Sequence, residues 1–321
     1  MALSVSVVVP TFMRGGRVEE VVGPVLADPA TLEVVVVVDG CHDGSLEHLA
    51  AVYADEPRVR PVWRPNGGDM AARQTGLTQS SGDVVLFLDD DVVPGPGLAS
   101  GHARAHEGVC GRLVLGWMPT EVPPPGTQGR AASLLYERDY EGTCQAYRAG
   151  SDAVLDRLWG GNLSLRRTEA LAVGMADPGP RMDYFADQAF GLRLQAAGLQ
   201  GVFEPTLRAV HRHRRSLQQF RRDARSQGFG LWALHLRFPD RRPAPSISSL
   251  LRDLPPVAKP FVRVAWRSVA AGILLERLVM AACAVASRLR SERWEGHGLL
   301  LLRVVSQAVG ARLALRAVRT A

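Results

Sequence analysis

The sequence predicts an α/β protein: a central, mostly parallel sheet flanked by helices, with a C-terminal helical extension. Three observations predict it. Short apolar runs alternate with helical periods over residues 1–115. The polar and glycine-rich segments fall at the carboxyl ends of those runs, where open α/β sheets bind ligands. Finally, Asp89-Asp90-Asp91 closes the run at 83–88, three carboxylates at the end of a strand that reads as buried.

Each element has its own signal. Residues 5–9 are valine-rich and form the first strand, and 17–26 carry a helical period. Residues 33–38 form a second, strongly β-branched strand, followed by a helix at 46–53. A short strand at 58–63 leads to a helix at 70–79, then to the strand at 83–88. Past Leu115 the alternation stops. Residues 118–130 hold Pro119, Pro123, Pro124, Pro125, Gly126 and Gly129 and predict a mobile loop. A helical stretch at 131–159, broken near Gly150, precedes a short strand at 162–165 and a helix from Thr168. A helix at 187–197 is closed by Gly198. A proline-rich joint at 239–245 introduces two or three amphipathic helices over 246–321. No internal repeat is present.

Composition narrows the function. With 321 residues, 46% hydrophobic and 22% charged, the chain suits one large or two modest globular domains. Its net charge of +6 is carried mostly by arginine and implies an anionic partner. No aromatic residues interleave with the arginine cluster at 212–225, which argues against nucleic acid. Four separated cysteines fit reduced thiols in a cytosolic protein. The N-terminus enters a strand directly, so no signal peptide is expected. Arg267, Glu276, Arg277 and Arg288 interrupt the apolar C-terminal region, so no transmembrane span is expected either. The expected location is cytoplasmic. The C-terminal helices are expected to serve packing or dimerisation ahead of peripheral contact with the inner face of the membrane.

Several residues suggest chemistry by type and place. Three adjacent carboxylates repel one another unless a cation lies among them, and a divalent metal with a phosphate ligand answers that need. Asp39, at a strand end beside Gly40, can accept from a base N–H or make an ordinary Asx turn. A helix starting near Gly68 points free N–H groups at an anion, and Arg73 one turn in can reach a base or diphosphate. Trp159 offers a flat face to a sugar, and Gly160-Gly161 permits a tight backbone approach.

Four segments together resemble family 2 glycosyltransferases of the GT-A fold. They are 7–12 with 36–45, then 66–94, then 159–167, and finally 183–194 with 210–213. The resemblance implies a GT-A catalytic domain over 1–240, with a nucleotide-binding half at 1–115 and an acceptor half at 116–240, and a helical region at 241–321. It assigns Pro10, Thr11, Asp39, Gly68, Arg73, Asp89 and Asp90 to the nucleotide sugar, with Gln74 in place of the usual Asn. Asp91 and His211 fall at metal-ligand positions for Mn²⁺ or Mg²⁺, with His213 competing for the second role. Trp159, Gly161 and Asn162 fall at the acceptor pocket. Asp187 stands at the catalytic base, with Asp183 as substitute because Ala186 replaces a common Glu.

The implied reaction is inverting transfer from a nucleoside-diphosphate sugar, UDP or dTDP most of all, to an acceptor hydroxyl. Arg215 and Arg221 are expected to assist the departing diphosphate, and the loop at 118–130 to order over the donor. The acceptor stays open among polysaccharide, lipid-linked glycan and small natural product. Two rivals remain. A nucleotidyltransferase would use the same sheet and metal, but the segment 10–17 only partly imitates its phosphate loop. A non-catalytic nucleotide-sugar-binding protein would explain Ala186.

Overall fold

The computed structural model describes residues 2–176, 181–252 and 254–320. The chain divides into two compact units. The first comprises Met1–Glu121, Asp139–Arg181 and Ala186–Arg212, and the second Val122–Arg138, Met182–Phe185 and His213–Ala321. The helix before the proline-rich joint groups with the C-terminal helices in the second unit.

In the first unit the alternation is as the sequence predicts: β1 (Val5–Thr11), α1 (Gly15–Leu26), β2 (Thr31–Asp39), α2 (Ser45–Val52), β3 (Val59–Arg64), α3 (Asp69–Gln79) and β4 (Val84–Leu88). Next come β5 (Val92–Pro94), α4 (Leu98–Ala105), β6 (Arg112–Trp117), α5 (Arg130–Ala149), which belongs to this unit from Asp139 on, and α6 (Asp152–Asp156). They are followed by β7 (Asn162–Arg166), α7 (Arg167–Val173), α8 (Ala186–Ala196) and β8 (Gln200–His211). Among the described residues the strands form one sheet in the order β3-β2-β1-β4-β7-β6-β8-β5.

The sheet is mixed. Strands β3, β2, β1 and β4 are parallel, but β7 runs antiparallel to both neighbours and β5 antiparallel to β8. Burial on both faces gives an apolar strand the same composition in either direction, so the pattern could not set the direction of β7. The three residues of β5 were too few to announce a strand. β1 and β4 are buried throughout, and β2 at all but one residue. Helix α3 lies directly on β1, because a Cβ on Gly76 would stand 2.2 Å from Val8 Cγ1. Register then matters for the site. Val8 pairs with Val35 and with Phe87, so Thr11, Asp39 and the acidic triplet emerge at one end of the sheet.

The second unit is helical: α9 (Leu217–Arg237), α10 (Ile247–Leu251), α11 (Lys259–Arg267), α12 (Val269–Arg288) and α13 (Glu292–Thr320). Helix α9 starts at a capping box, Ser216 with Gln219. It meets α13 through glycines. A Cβ on Gly228 would lie 2.0 Å from the Gln307 carbonyl oxygen, and one on Gly310 2.0 Å from that of Arg225. Glu276 points inward from α12, 1% exposed, where Arg225 holds both its oxygens and Arg221 lies 3.7 Å away. One partner of such a pair cannot be removed cheaply, since a lone buried charge costs about 3–5 kcal/mol.

The expectation of no membrane-length helix is corrected. Among the described residues α12 and the stretch Glu292–Ala317 of α13 are long and apolar enough to cross a membrane, by length and composition. Of the charges that broke the pattern in sequence, Arg267 and Arg288 lie at helix ends, Glu276 is inside an ion pair, and Arg277 is exposed midway along α12.

The glycine contacts predict opposite outcomes within one helix. Gly310→Ala should destabilise by about 1–3 kcal/mol, because backbone must move to admit the methyl. Gly296→Ala, with nothing within 4 Å, should be neutral or stabilise by up to ~1 kcal/mol. Urea unfolding of the two variants beside the parent checks both signs.

Candidate active site

Two arginines neutralise the acidic strand end. Arg73, on α3 and 1% exposed, sends Nη2 to Asp89 Oδ1 at 2.6 Å and Nε to Asp69 Oδ2 at 2.9 Å. Burial alone would discharge this guanidinium, but Asp69, Asp89 and Asp187 hold its pKa above the ordinary arginine value. Arg14 Nη1 bridges Asp90 Oδ1 at 2.8 Å and Asp91 Oδ2 at 2.7 Å. It reaches them because Met13 adopts φ +56°, a left-handed conformation that turns the chain back over the strand ends. Thr11 Oγ1 donates to Asp90 Oδ2 at 2.8 Å.

The three carboxylates are not equivalent. Burial pushes Asp90 up to about 6 against the pull of Arg14 and Thr11. Burial also works against ionised Asp91, yet His211 and Arg14 outweigh it and hold that carboxyl well below the usual range. Asp89 is raised by burial, with Arg73 opposing. His211, the last residue of β8, sets Nε2 3.3 Å from Asp91 Oδ1.

The glycine-rich turn is tied to β2. Asp39 accepts from Gly67 N at 3.0 Å and Gly68 N at 2.8 Å, and also from Arg64 Nη1. In this structure both Asp39 oxygens therefore serve the turn rather than awaiting a base N–H. Gly68, at φ +84°, opens α3, and a Cβ there would meet the Arg181 guanidinium at 2.9 Å. Gln74 Oε1 accepts from Met175 N at 2.6 Å, a backbone tether made by the residue that departs from the family pattern. Pro10 is buried in β1 opposite Val37.

Gly160-Gly161 brings two carboxylates close to one turn. A Cβ on Gly160 would lie 2.7 Å from Asp187 Oδ1, and one on Gly161 2.8 Å from Asp89 Oδ2. Asp187, in the first turn of α8, accepts from Gly160 N at 3.1 Å through Oδ2. Its Oδ1 is buried and has no hydrogen-bond partner among the described residues. Burial raises its pKa, Asp89 adds to the rise, and Arg73 and the Gly160 N–H oppose it. A carboxylate with one oxygen anchored and one open is suited to receive a proton. Trp159, half-buried, meets Tyr140 edge-on at 5.5 Å.

Asn162, expected at the acceptor pocket, opens β7. It is fully buried, and its side chain is consumed internally: Nδ2 donates to Leu207 O at 2.9 Å, and Oδ1 lies 2.9 Å from His102 Nε2. Ser164 Oγ is 2.7 Å from His102 Nδ1 and 2.9 Å from His106 Nε2. Leu207 O can only accept, so Asn162 Oδ1 must accept from His102 Nε2. The neutral His102 then takes the Ser164 proton on Nδ1, and His106 donates to Ser164. Burial of Asn162 could not be read from a Gly-Gly-Asn pattern.

His213 belongs to the second unit, where it stacks on Tyr136 at 4.0 Å. Asp183 also belongs to the second unit. Arg215 binds Asp223 at 3.2 Å, and Arg221 lies beside Glu276, both within that unit. Arg14 and Asp69 were missed by the sequence reading. The demand for a cation among three carboxylates was the signal that could have found Arg14. Among the described residues no three His, Cys, Asp or Glu side chains gather as a metal cage. The Asp91 oxygen and His211 nitrogen nonetheless form a donor pair that fits Mn²⁺, and Mg²⁺ less well, with other positions left to phosphate and water.

Residues 6–151 match the family model described as Glycosyl transferase family 2. The uncharacterized glycosyltransferase YfnE of Bacillus subtilis is 25% identical over 225 residues, 56% of this chain and 56% of YfnE. The validoxylamine A glucosyltransferase of Streptomyces hygroscopicus subsp. limoneus is 31% identical over 117 residues, 35% of this chain and 26% of that protein. The matched stretches thus span little more than half of these relatives at most. The mannosyltransferase PcManGT from Pyrobaculum calidifontis, solved with GDP-Man and Mn²⁺, superposes with a TM-score of 0.57 at 19% identity, over 97% of this chain and 87% of that one. That likeness shows a shared GT-A fold.

The buried histidines predict a pH dependence of stability. Burial holds His102 at about 4 and His106 at about 3, below the ordinary 6.5. Below pH 6.5 the unfolded chain takes up protons that the folded chain refuses. These two histidines contribute a loss of stability as pH drops from about 6.5 toward about 4, by on the order of a few kcal/mol, while Asp90 and the other carboxylates raised by burial act in the opposite direction. Urea midpoints of the parent and of His102→Gln, each at about pH 7 and about pH 5, isolate the histidine part: the variant should lose less on acidification than the parent.

Proposed function

We propose that the chain, whose residues 6–151 match the family 2 glycosyltransferase model and whose GT-A fold is shared with a solved mannosyltransferase, moves a sugar from a nucleoside-diphosphate donor to an acceptor hydroxyl, with inversion. One observation carries the reading. Asp187 presents a buried, unpartnered carboxylate oxygen beside the Arg73–Asp89 ion pair, with its other oxygen fixed on Gly160 N. A base so anchored can take the acceptor proton at Oδ1 while the hydroxyl attacks the anomeric carbon. A single displacement needs one base and no carboxylate nucleophile.

The donor would lie over the carboxyl ends of β1, β2 and β4. Thr11, Asp39 and Gly68 shape that ledge, and Arg73 fixes Asp89 toward the ribose. Asp91 and His211 would hold Mn²⁺ or Mg²⁺. Bound there, the metal would supply Lewis-acid neutralisation of the diphosphate leaving group. Asp90, held by Arg14 and Thr11, keeps the strand end in place. The base is proposed as uridine or thymidine, with guanosine, carried by the donor of PcManGT, as the alternative. The acceptor is proposed as a hydroxyl of a glycan, lipid-linked glycan or small natural product, with Trp159 and Gly161 at its pocket.

Three measurements test this reading. Thermal shift with UDP, dTDP, GDP and CDP, each with and without Mn²⁺, should give a metal-dependent rise with one nucleotide. No rise with any of them would overturn the donor class. Asp91→Ala should abolish the metal-dependent part of that rise. Asp187→Asn should keep donor binding and lose roughly 10²–10⁴-fold in kcat. Because the Asp187 pKa is raised, the parent rate should fall on the acid side at a pH above the ordinary carboxylate range.

A further inference from the structure

Helix α12 carries an apolar stripe that its own unit does not cover. Its inner face is packed: Val279 and Cys283 join Leu299 and Leu302 in a buried cluster. On the outer face Leu274, Leu278, Val285 and Leu289 are each more than half exposed. At 3.6 residues per turn these four fall within a sector of roughly 60°. Trp294, 71% exposed, follows at the start of α13. Packing therefore accounts for the inner face of α12 and leaves this outer face exposed.

The charges around the stripe have one sign. Arg277 and Arg288 line one edge of it, and Arg290 and Arg293 follow its end, all exposed. Of the acids nearby, Glu276 is buried on Arg225, Glu292 pairs with Arg130 at 3.1 Å, and Glu295 is half-buried, its carboxyl raised by burial and by Glu292. We propose that this face of α12 docks on an anionic lipid bilayer, lying in the interface plane. Apolar side chains enter the headgroup boundary, and the arginines reach lipid phosphates. A second copy of the chain is the poorer occupant, since pairing two such stripes would bring like charges together.

Lying flat also fits α12 better than spanning. A span would put Arg277 near mid-bilayer, an expensive place for a guanidinium. In the interface its stem lies along the stripe and its head stays wet. The inference is independent of the donor chemistry above.

The test is flotation of the purified full-length chain with phosphatidylcholine vesicles, with and without phosphatidylglycerol. The chain should float with anionic vesicles, and concentrated salt or alkaline carbonate should release it. Leu278→Gln with Val285→Gln and Leu289→Gln should abolish flotation while leaving the unfolding transition and any nucleotide thermal shift in place. Arg288→Gln with Arg290→Gln and Arg293→Gln should weaken vesicle affinity by about tenfold or more. The proposal is overturned by no binding to anionic vesicles, or by unchanged flotation of the leucine-valine variant. Retention through alkaline carbonate would mean a span, and a parent dimer that the same variant splits, without flotation, would mean a second copy. Either also overturns it.

Discussion

Everything at the sheet's carboxyl end depends on how three adjacent carboxylates are held in a half-buried place. The chain answers with two guanidiniums of opposite reach. Arg73 comes from beneath, out of a helix packed on β1, and binds Asp89 and Asp69. Arg14 comes from the loop after β1 and binds Asp90 and Asp91 with one nitrogen. The consequence is a graded set of acidities along three consecutive residues. Burial raises Asp89 and Asp90, whereas His211 and Arg14 hold Asp91 well below the usual carboxylate range. One strand end thereby offers chemically distinct oxygens without any change of residue type.

The glycines beside this cluster matter as much as the charges. Gly160 and Gly161 leave no side chain between Asp187 and Asp89, so backbone sets how closely each carboxylate meets the turn. That is a geometric requirement, met by the same motif that suggested sugar contact in sequence. The same logic recurs in the helical unit, where Gly228 and Gly310 let α9 and α13 touch backbone to backbone. Close approach is bought there with lost side chains, and the buried Glu276 is enclosed by arginines that sequence composition assigned to an anionic partner.

Much of this was legible in advance, for physical reasons. Apolar runs of period and length typical of strands marked β1, β2 and β4, and the acidic triplet marked the ligand end of β4. The helix end at Gly198 was visible because its φ of +83° is a conformation only glycine adopts cheaply. What could not be read depends on direction and distance. Strand polarity in β7 leaves no trace in composition. Burial of Asn162 depends on α4, sixty residues earlier in sequence. The apolar length of α12 was obscured by charges whose orientation a linear pattern does not carry: Glu276 turns inward and Arg277 outward.

The chain of hydrogen bonds from His106 through Ser164, His102 and Asn162 to the Leu207 carbonyl has only one proton arrangement that satisfies it. Every donor points the same way along it. Four positions on two elements are therefore bound into a single word of the sequence. Exchange of any one letter strands a neighbour's proton or lone pair inside the core, so drift at these positions must be concerted. Lineages descending from this chain are expected to keep the word whole or to replace it whole with apolar residues.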